Sequence, residues 1–115
     1  MSPSSRFTQQ IGVAGSYDDG FLRIEYDNYF VVCAGQRVKM PKTEFLILTR
    51  LTQSPDRFVT YEELWKFAWG AGKPFSLESL KVYIYNLRRH FEPFGIKFET
   101  MVNVGYSFLS GHSES

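Results

Sequence analysis

Between Leu77 and Phe91 the apolar residues Leu77, Leu80, Ile84, Leu87 and Phe91 recur at spacings of three and four. At about 100° per residue they share one narrow stripe of a helix that must face a core. Ser76 is a sound N-cap for it, Glu78 suits its positive first turn, and Glu92-Pro93 with Gly95 ends it. Upstream, Pro41 opens a stretch in which Phe45, Ile47, Leu48, Leu51 and Thr52 form an apolar face that runs out near Ser54-Pro55. Thr60-Tyr61-Glu62-Glu63 then reads as a capping box, with Leu64, Phe67 and Ala68 expected on the inward face of a second helix. Gly70, Gly72 and Pro74 break that helix. The pattern changes period at both ends of the chain. Phe21–Tyr26, Tyr29–Ala34 and Arg37–Met40 predict an antiparallel meander turned at Asp27-Asn28 and Gly35-Gln36. Ile96–Met101 and Tyr106–Leu109 predict a hairpin joined through Val102–Gly105.

A small sheet, helices and a closing hairpin, in that order, define an α+β fold: a winged helix-turn-helix with an N-terminal meander, three helices and a C-terminal wing. Residues 1–19, rich in Ser, Gln and Gly without sustained periodicity, read as a flexible arm or linker. Residues 20–110 read as the winged-helix domain, and 111–115 as a disordered tail. A length of 115 residues with 43% hydrophobic content is enough for one core and too little for two full domains. An aromatic share of 17% excludes a chain disordered throughout.

Charge changes this picture only locally. The formal net charge of +1 provides no overall basic field. From Lys81 to Lys97, however, Lys81, Arg88, Arg89 and Lys97 outweigh Glu92. Cys33 is the only cysteine and sits in an apolar run, which excludes a disulfide framework and points to a buried, inert thiol. Met1–Ser5 lacks the apolar core of a signal peptide, and no run approaches a membrane span, so a cytoplasmic chain without a membrane partner is expected. His90, His112 and Cys33 have no metal-ligand spacing, and no Gly-rich phosphate loop follows a strand. No enzymatic activity, metal or cofactor is expected.

The side of the third helix opposite its leucine stripe carries Glu78, Val82, Tyr85, Asn86 and Arg89, with Ser79 and Tyr83 on one shoulder and Lys81 and Arg88 on the other. That mixture suits double-stranded DNA. Val82 can touch a thymine methyl, Asn86 can pair with an adenine edge, Arg89 can reach guanine or phosphate, and tyrosine hydroxyls can bond phosphate. Helix 77–91 would then enter the major groove, with hairpin 96–109 beside it.

Several motifs appear together: Lys42-Thr43-Glu44-Phe45-Leu46-Ile47-Leu48, Tyr61-Glu62-Glu63-Leu64-Trp65 with Trp69-Gly70, Val82-Tyr83-Ile84-Tyr85-Asn86-Leu87-Arg88-Arg89, and Thr100 through Gly105-Tyr106. In this order they resemble the OmpR/PhoB-type effector domains of bacterial response regulators, over about residues 21–109. The resemblance implies a transcription regulator that binds direct repeats head to tail, whose third helix reads the major groove and whose wing reaches the minor groove. It also implies that loop Gly70, Ala71, Gly72, Lys73, Pro74, Phe75 contacts RNA polymerase, and that a receiver domain normally precedes the effector domain. Trp69, Val82, Arg88, Thr100 and Tyr106 match the family's motif as they stand. Ser79, Tyr83, Tyr85, Asn86 and Arg89 are DNA-contact candidates from helix geometry, and Asn103 from its place in the wing. The chain departs from the family where Lys81-Val82-Tyr83-Ile84 replaces a frequent Asp-Val-His-Ile, where Glu78, Tyr85 and Asn86 stand in place of frequent arginines, and where Thr100-Met101-Val102-Asn103 lacks the wing's arginine.

Two other readings use the same residues. A winged helix serving as a protein-interaction module would account for the near-neutral charge and the exposed tyrosines. Single-stranded nucleic acid stacking on Tyr83 and Tyr85 would account for the interleaved basic and aromatic residues. The helix phase itself makes a prediction: Leu87→Ala should cost roughly 2–5 kcal/mol in denaturant unfolding. Arg89→Ala, on the opposite side, should stay within about 0.5 kcal/mol of the parent.

Overall fold

Alternation along the first strands produces a meander. β1 (Ser16–Asp18), β2 (Leu22–Glu25), β3 (Phe30–Cys33) and β4 (Gln36–Arg37) pair antiparallel in that order in a computed structural model, which describes residues 15–110. Leu22 faces Cys33, Ile24 faces Val31, and Tyr17 faces Ile24 across the ladders. The period of two therefore puts all five on one buried face. The β1–β2 turn is closed by the Asp19 carboxylate, which accepts from the N–H groups of Phe21 and Leu22 at 2.9 and 2.8 Å. Between β3 and β4 the successive positive φ values of Ala34 (52°) and Gly35 (79°) make a two-residue loop whose twist matches its strands. Burial, aided by the charge of Asp19, pushes the Cys33 thiol up to about 11, so the nucleophilic thiolate is scarce at neutral pH.

Within the span 1–19 expected as an arm, Ser16–Asp18 bonds to the edge of β2. Its polar flanks hide the strand: only Tyr17 turns inward. Residues 1–14 and the expected tail 111–115 lie outside the described residues. Where one domain was expected over 20–110, contacts divide the chain into two units at Lys39–Met40.

The second unit contains α1 (Lys42–Thr52), β5 (Val59–Thr60), α2 (Tyr61–Trp69), α3 (Leu77–Phe91), β6 (Phe98–Met101) and β7 (Gly105–Phe108). α1 buries Phe45, Ile47, Leu48 and Leu51. The capping box of α2 forms as expected, with the Glu63 N–H donating to Thr60 Oγ1 at 3.1 Å and the Thr60 N–H donating to the Glu63 carboxylate at 3.3 Å. Its buried side differs from expectation. Tyr61, Leu64 and Trp65 turn inward while Phe67 is 41% exposed, because position 67 stands well round the helix axis from the line through 61, 64 and 65. In α3, Ser76 Oγ accepts from the Ser79 N–H at 3.2 Å, and Leu80, Ile84, Leu87 and Phe91 are buried. Leu77, in the first turn, is half-buried.

β5, β7 and β6 form an antiparallel sheet in that order. β5 is too short to carry a period and was not expected. It pairs Val59 with Tyr106 and Thr60 with Gly105. That pairing explains the Gly-Tyr motif of the hairpin: a Cβ on Gly105 would lie 1.9 Å from the Val59 carbonyl oxygen, a backbone atom that cannot swing away. Gly105→Ala should therefore destabilise the unit by about 3 kcal/mol, read as a lowered denaturation midpoint with an unchanged slope. Parent-like unfolding would show that β5 and β7 do not approach this closely.

Candidate nucleic-acid interface

Because α3 buries the stripe Leu80–Ile84–Leu87–Phe91, its opposite side is left free. Glu78, Lys81, Val82, Tyr85 and Arg89 are all exposed, Val82 at 57% and Tyr85 at 60%. Their spacings of three and four make a second continuous stripe, of mixed apolar, aromatic and charged character. The Arg89 guanidinium carbon lies 5.9 Å from the centre of the Tyr85 ring, so the cation rests against the aromatic surface instead of an acid. Asn86 is half-buried beside the stripe and helps line a groove of about 400 Å³ with Pro41, Glu44, Arg89 and His90. In that groove His90 Nε2 is 3.0 Å from Oε1 of the buried Glu44, joining the last turn of α3 to α1.

The hairpin is held to this helix at its base. Arg88 Nη2 donates to the Phe98 carbonyl at 2.8 Å and to Thr100 Oγ1 at 2.7 Å, and the guanidinium lies 5.7 Å from the centre of the Tyr106 ring. The tip is held elsewhere. The Tyr61 hydroxyl donates to the Met101 carbonyl at 3.5 Å and accepts from the Asn103 N–H at 3.2 Å, where Asn103 turns the chain with φ at 67°. Met101, Val102 and Val104 stand exposed around that turn, Val102 at 75%. The tip of the hairpin is therefore apolar.

The loop before α3 is anchored by aromatic rings. Trp65 stacks on Trp69 at 3.9 Å between centroids, Trp69 meets Tyr83 edge-on at 5.2 Å, and Phe75 packs edge-on against Trp65 at 5.7 Å. Trp65 Nε1 also donates to the Lys73 carbonyl at 3.0 Å, pinning the middle of loop 70–75. Its residues Gly70 to Phe75 are half-buried or exposed.

The residues singled out from sequence therefore separate. Val82, Tyr85 and Arg89 share the free stripe, with Asn86 beside it. Thr100 and Asn103 lie exposed on the hairpin, with Thr100 engaged by Arg88 and the Asn103 N–H by Tyr61. Ser79 is half-buried, and its hydroxyl takes a hydrogen bond from Ser76 at 3.2 Å. Trp69 and Tyr83 are half-buried in the aromatic column. Tyr83 and Tyr85 consequently do not form a common stacking platform, since positions two apart point to different sides of a helix. Tyr106, also singled out from sequence, is 3% exposed and packs edge-on against Tyr61 at 5.5 Å. Burial, with Tyr61 adding and Arg88 opposing, holds its hydroxyl above the usual phenol range. Tyr61 and Trp65 escaped the sequence reading as positioning residues. Tyr61 meets partners forty residues away, and no local pattern encodes them.

Residues 35–108 match the family described as "Transcriptional regulatory protein, C terminal". Response regulator MprA of Mycobacterium leprae is 36% identical over 78 residues, which take in 65% of this chain and 34% of that protein. The chain thus spans about a third of the length of that curated relative. Among solved structures, the response regulator DrrB, a Thermotoga maritima OmpR/PhoB homolog, superposes with a TM-score of 0.69 at 34% identity, covering 83% of this chain and 44% of that one. The DNA binding domain of CpxR from E. coli superposes with a TM-score of 0.72 at 25% identity, covering 84% and 98%. No helix among the described residues is long and apolar enough to cross a membrane.

Tyr61→Phe removes one hydroxyl and with it both contacts to the hairpin tip. It should cost about 1 kcal/mol of stability and speed amide exchange at Asn103, read by hydrogen exchange. Unchanged exchange there would show that the tip is held by other means.

Proposed function

The chain belongs to the family of C-terminal domains of transcriptional regulatory proteins, of the OmpR/PhoB type, and from that premise we propose that it binds double-stranded DNA sequence-specifically as a transcriptional regulator. The observation that carries this reading is the free stripe of α3. Its buried leucines turn Val82, Tyr85 and Arg89 outward together on a helix narrow enough for the major groove. In this reading Val82 touches a thymine methyl, Arg89 reaches guanine or phosphate, Asn86 meets an adenine edge, and the exposed Lys81 and the Tyr85 hydroxyl take phosphates. The hairpin 98–108 lies alongside as the wing, with Val102 and Asn103 at its contacting end. The exposed Glu78 would repel phosphate, and its carboxylate suits the amino group of cytosine instead. The protein acts in the cytoplasm on direct-repeat half-sites under the control of a receiver domain, with loop 70–75 facing RNA polymerase. Its work is binding, with no catalytic step.

A second reading is a protein-interaction module, favoured by the exposed apolar groups Val82, Met101 and Val102 and by the net charge of +1. Titration against a duplex selected from a random pool, at several salt concentrations, separates the two. DNA binding gives log affinity falling with log salt at about 0.9 per phosphate neutralised. Arg89→Ala should weaken that binding roughly tenfold while leaving the melting temperature in place. Salt-independent, micromolar-or-weaker binding, untouched by Arg89→Ala, would favour the protein partner.

A further inference from the structure

Arg88 stands in the most basic stretch of α3, where a cation invites assignment to a DNA phosphate, yet its side chain is turned to the hairpin. Both hydrogens of Nη2 are spent within the protein, one on the Phe98 carbonyl at 2.8 Å and one on Thr100 Oγ1 at 2.7 Å. Its plane is backed by the Tyr106 ring, 5.7 Å from the guanidinium carbon. A planar guanidinium holding two acceptors with one nitrogen while resting on an aromatic ring has little freedom left. Its neighbour Arg89 differs: it is exposed, and among the described residues its guanidinium rests against the Tyr85 ring.

Resting on the DNA-binding reading above, we propose that Arg88 is a positioning residue. It sets the base of the β6–β7 wing at a fixed distance from the exposed stripe of α3, so that helix and wing reach one duplex together. The wing needs such a brace because β6 is the outer strand of its sheet. Its main-chain partner is β7 on one side only, and Phe98 is the only member of β6 that is buried. Without Arg88 the outer strand keeps its ladder and the packing of Phe98 against Phe91 of α3, 6.1 Å between ring centres, and loses its polar tie to that helix. Two sequence positions ten and twelve residues away are joined to the helix through one nitrogen. Loss of the brace should appear as the cost of ordering the wing upon binding.

The test compares the whole chain with Arg88→Ala, Thr100→Val and their double variant, against a selected duplex over a range of salt. A brace predicts about tenfold weaker binding for Arg88→Ala, with the slope of log affinity against log salt unchanged because no phosphate contact is lost. It also predicts that Thr100→Val adds little once Arg88 is gone. Arg88→Lys keeps a cation, but its ammonium stands one bond short of the position of Nη2 and has no planar group to rest against Tyr106, so it should resemble Arg88→Ala. A slope reduced by about 0.9 in Arg88→Ala but retained in Arg88→Lys would make Arg88 a phosphate contact and overturn the proposal, as would independent, additive effects of the two sites. Hydrogen exchange on the free chain supplies the arm that does not need DNA. Arg88→Ala should accelerate exchange in β6, whereas Arg89→Ala should not. Unaltered exchange in β6 overturns the brace. Absence of duplex binding by the parent chain, with β6 exchange accelerated, overturns the DNA-binding reading alone.

Discussion

Burial of Leu80, Ile84, Leu87 and Phe91 decides the rotation of α3 about its own axis, and nearly everything proposed for the surface depends on that rotation. Each fully buried aliphatic or aromatic side chain is worth roughly 1.5–3 kcal/mol, so turning the helix by even one residue's angle would expose apolar area that no surface contact could repay. The consequence is geometric. Val82, Tyr85 and Arg89 are carried outward together by residues that never touch a ligand, and their spacing is as rigid as the helix that bears them.

Polar contacts then hold the neighbouring parts to that helix. Arg88 ties the base of the hairpin, the Tyr61 hydroxyl ties its tip, and the Trp65 indole pins loop 70–75 through the Lys73 carbonyl. Each contact ends on a backbone carbonyl, a group that would be costly if left unpaired and shielded from water. The close approach of β5 to β7 at Gly105 adds a steric condition, since only a residue without a side chain lets the strands meet. Helix, loop and hairpin are thereby held in one relation within the second unit.

The free face so produced is short of cations for its proposed task. Lys81 and Arg89 flank Val82 and Tyr85, Glu78 opposes them, and the hairpin tip presents Met101, Val102 and Val104. In the proposed role, affinity would draw less on counterion release and more on shape and direct contact with base edges. That balance makes the fixed spacing of wing and helix matter more, because few long-range charges are available to compensate for a loose fit.

What the amino-acid order determined by itself was whatever depends on local periodicity and local capping. The span of α3, its inward stripe, the Thr60–Glu63 capping box and the strand-turn-strand alternation all follow from residues within a few positions of one another. Family resemblance was equally local, carried by short motifs in a particular order. Tertiary structure decided the matters that rest on distant partners: Ser16–Asp18 joined the sheet because β2 offered it an edge, and Phe67 stayed outside because the core lay along Tyr61, Leu64 and Trp65. It also decided which members of the candidate site were available. Tyr106 went into the core against Tyr61, and Arg88 turned to the hairpin, because side chains choose among neighbours that only folding brings within a few ångströms.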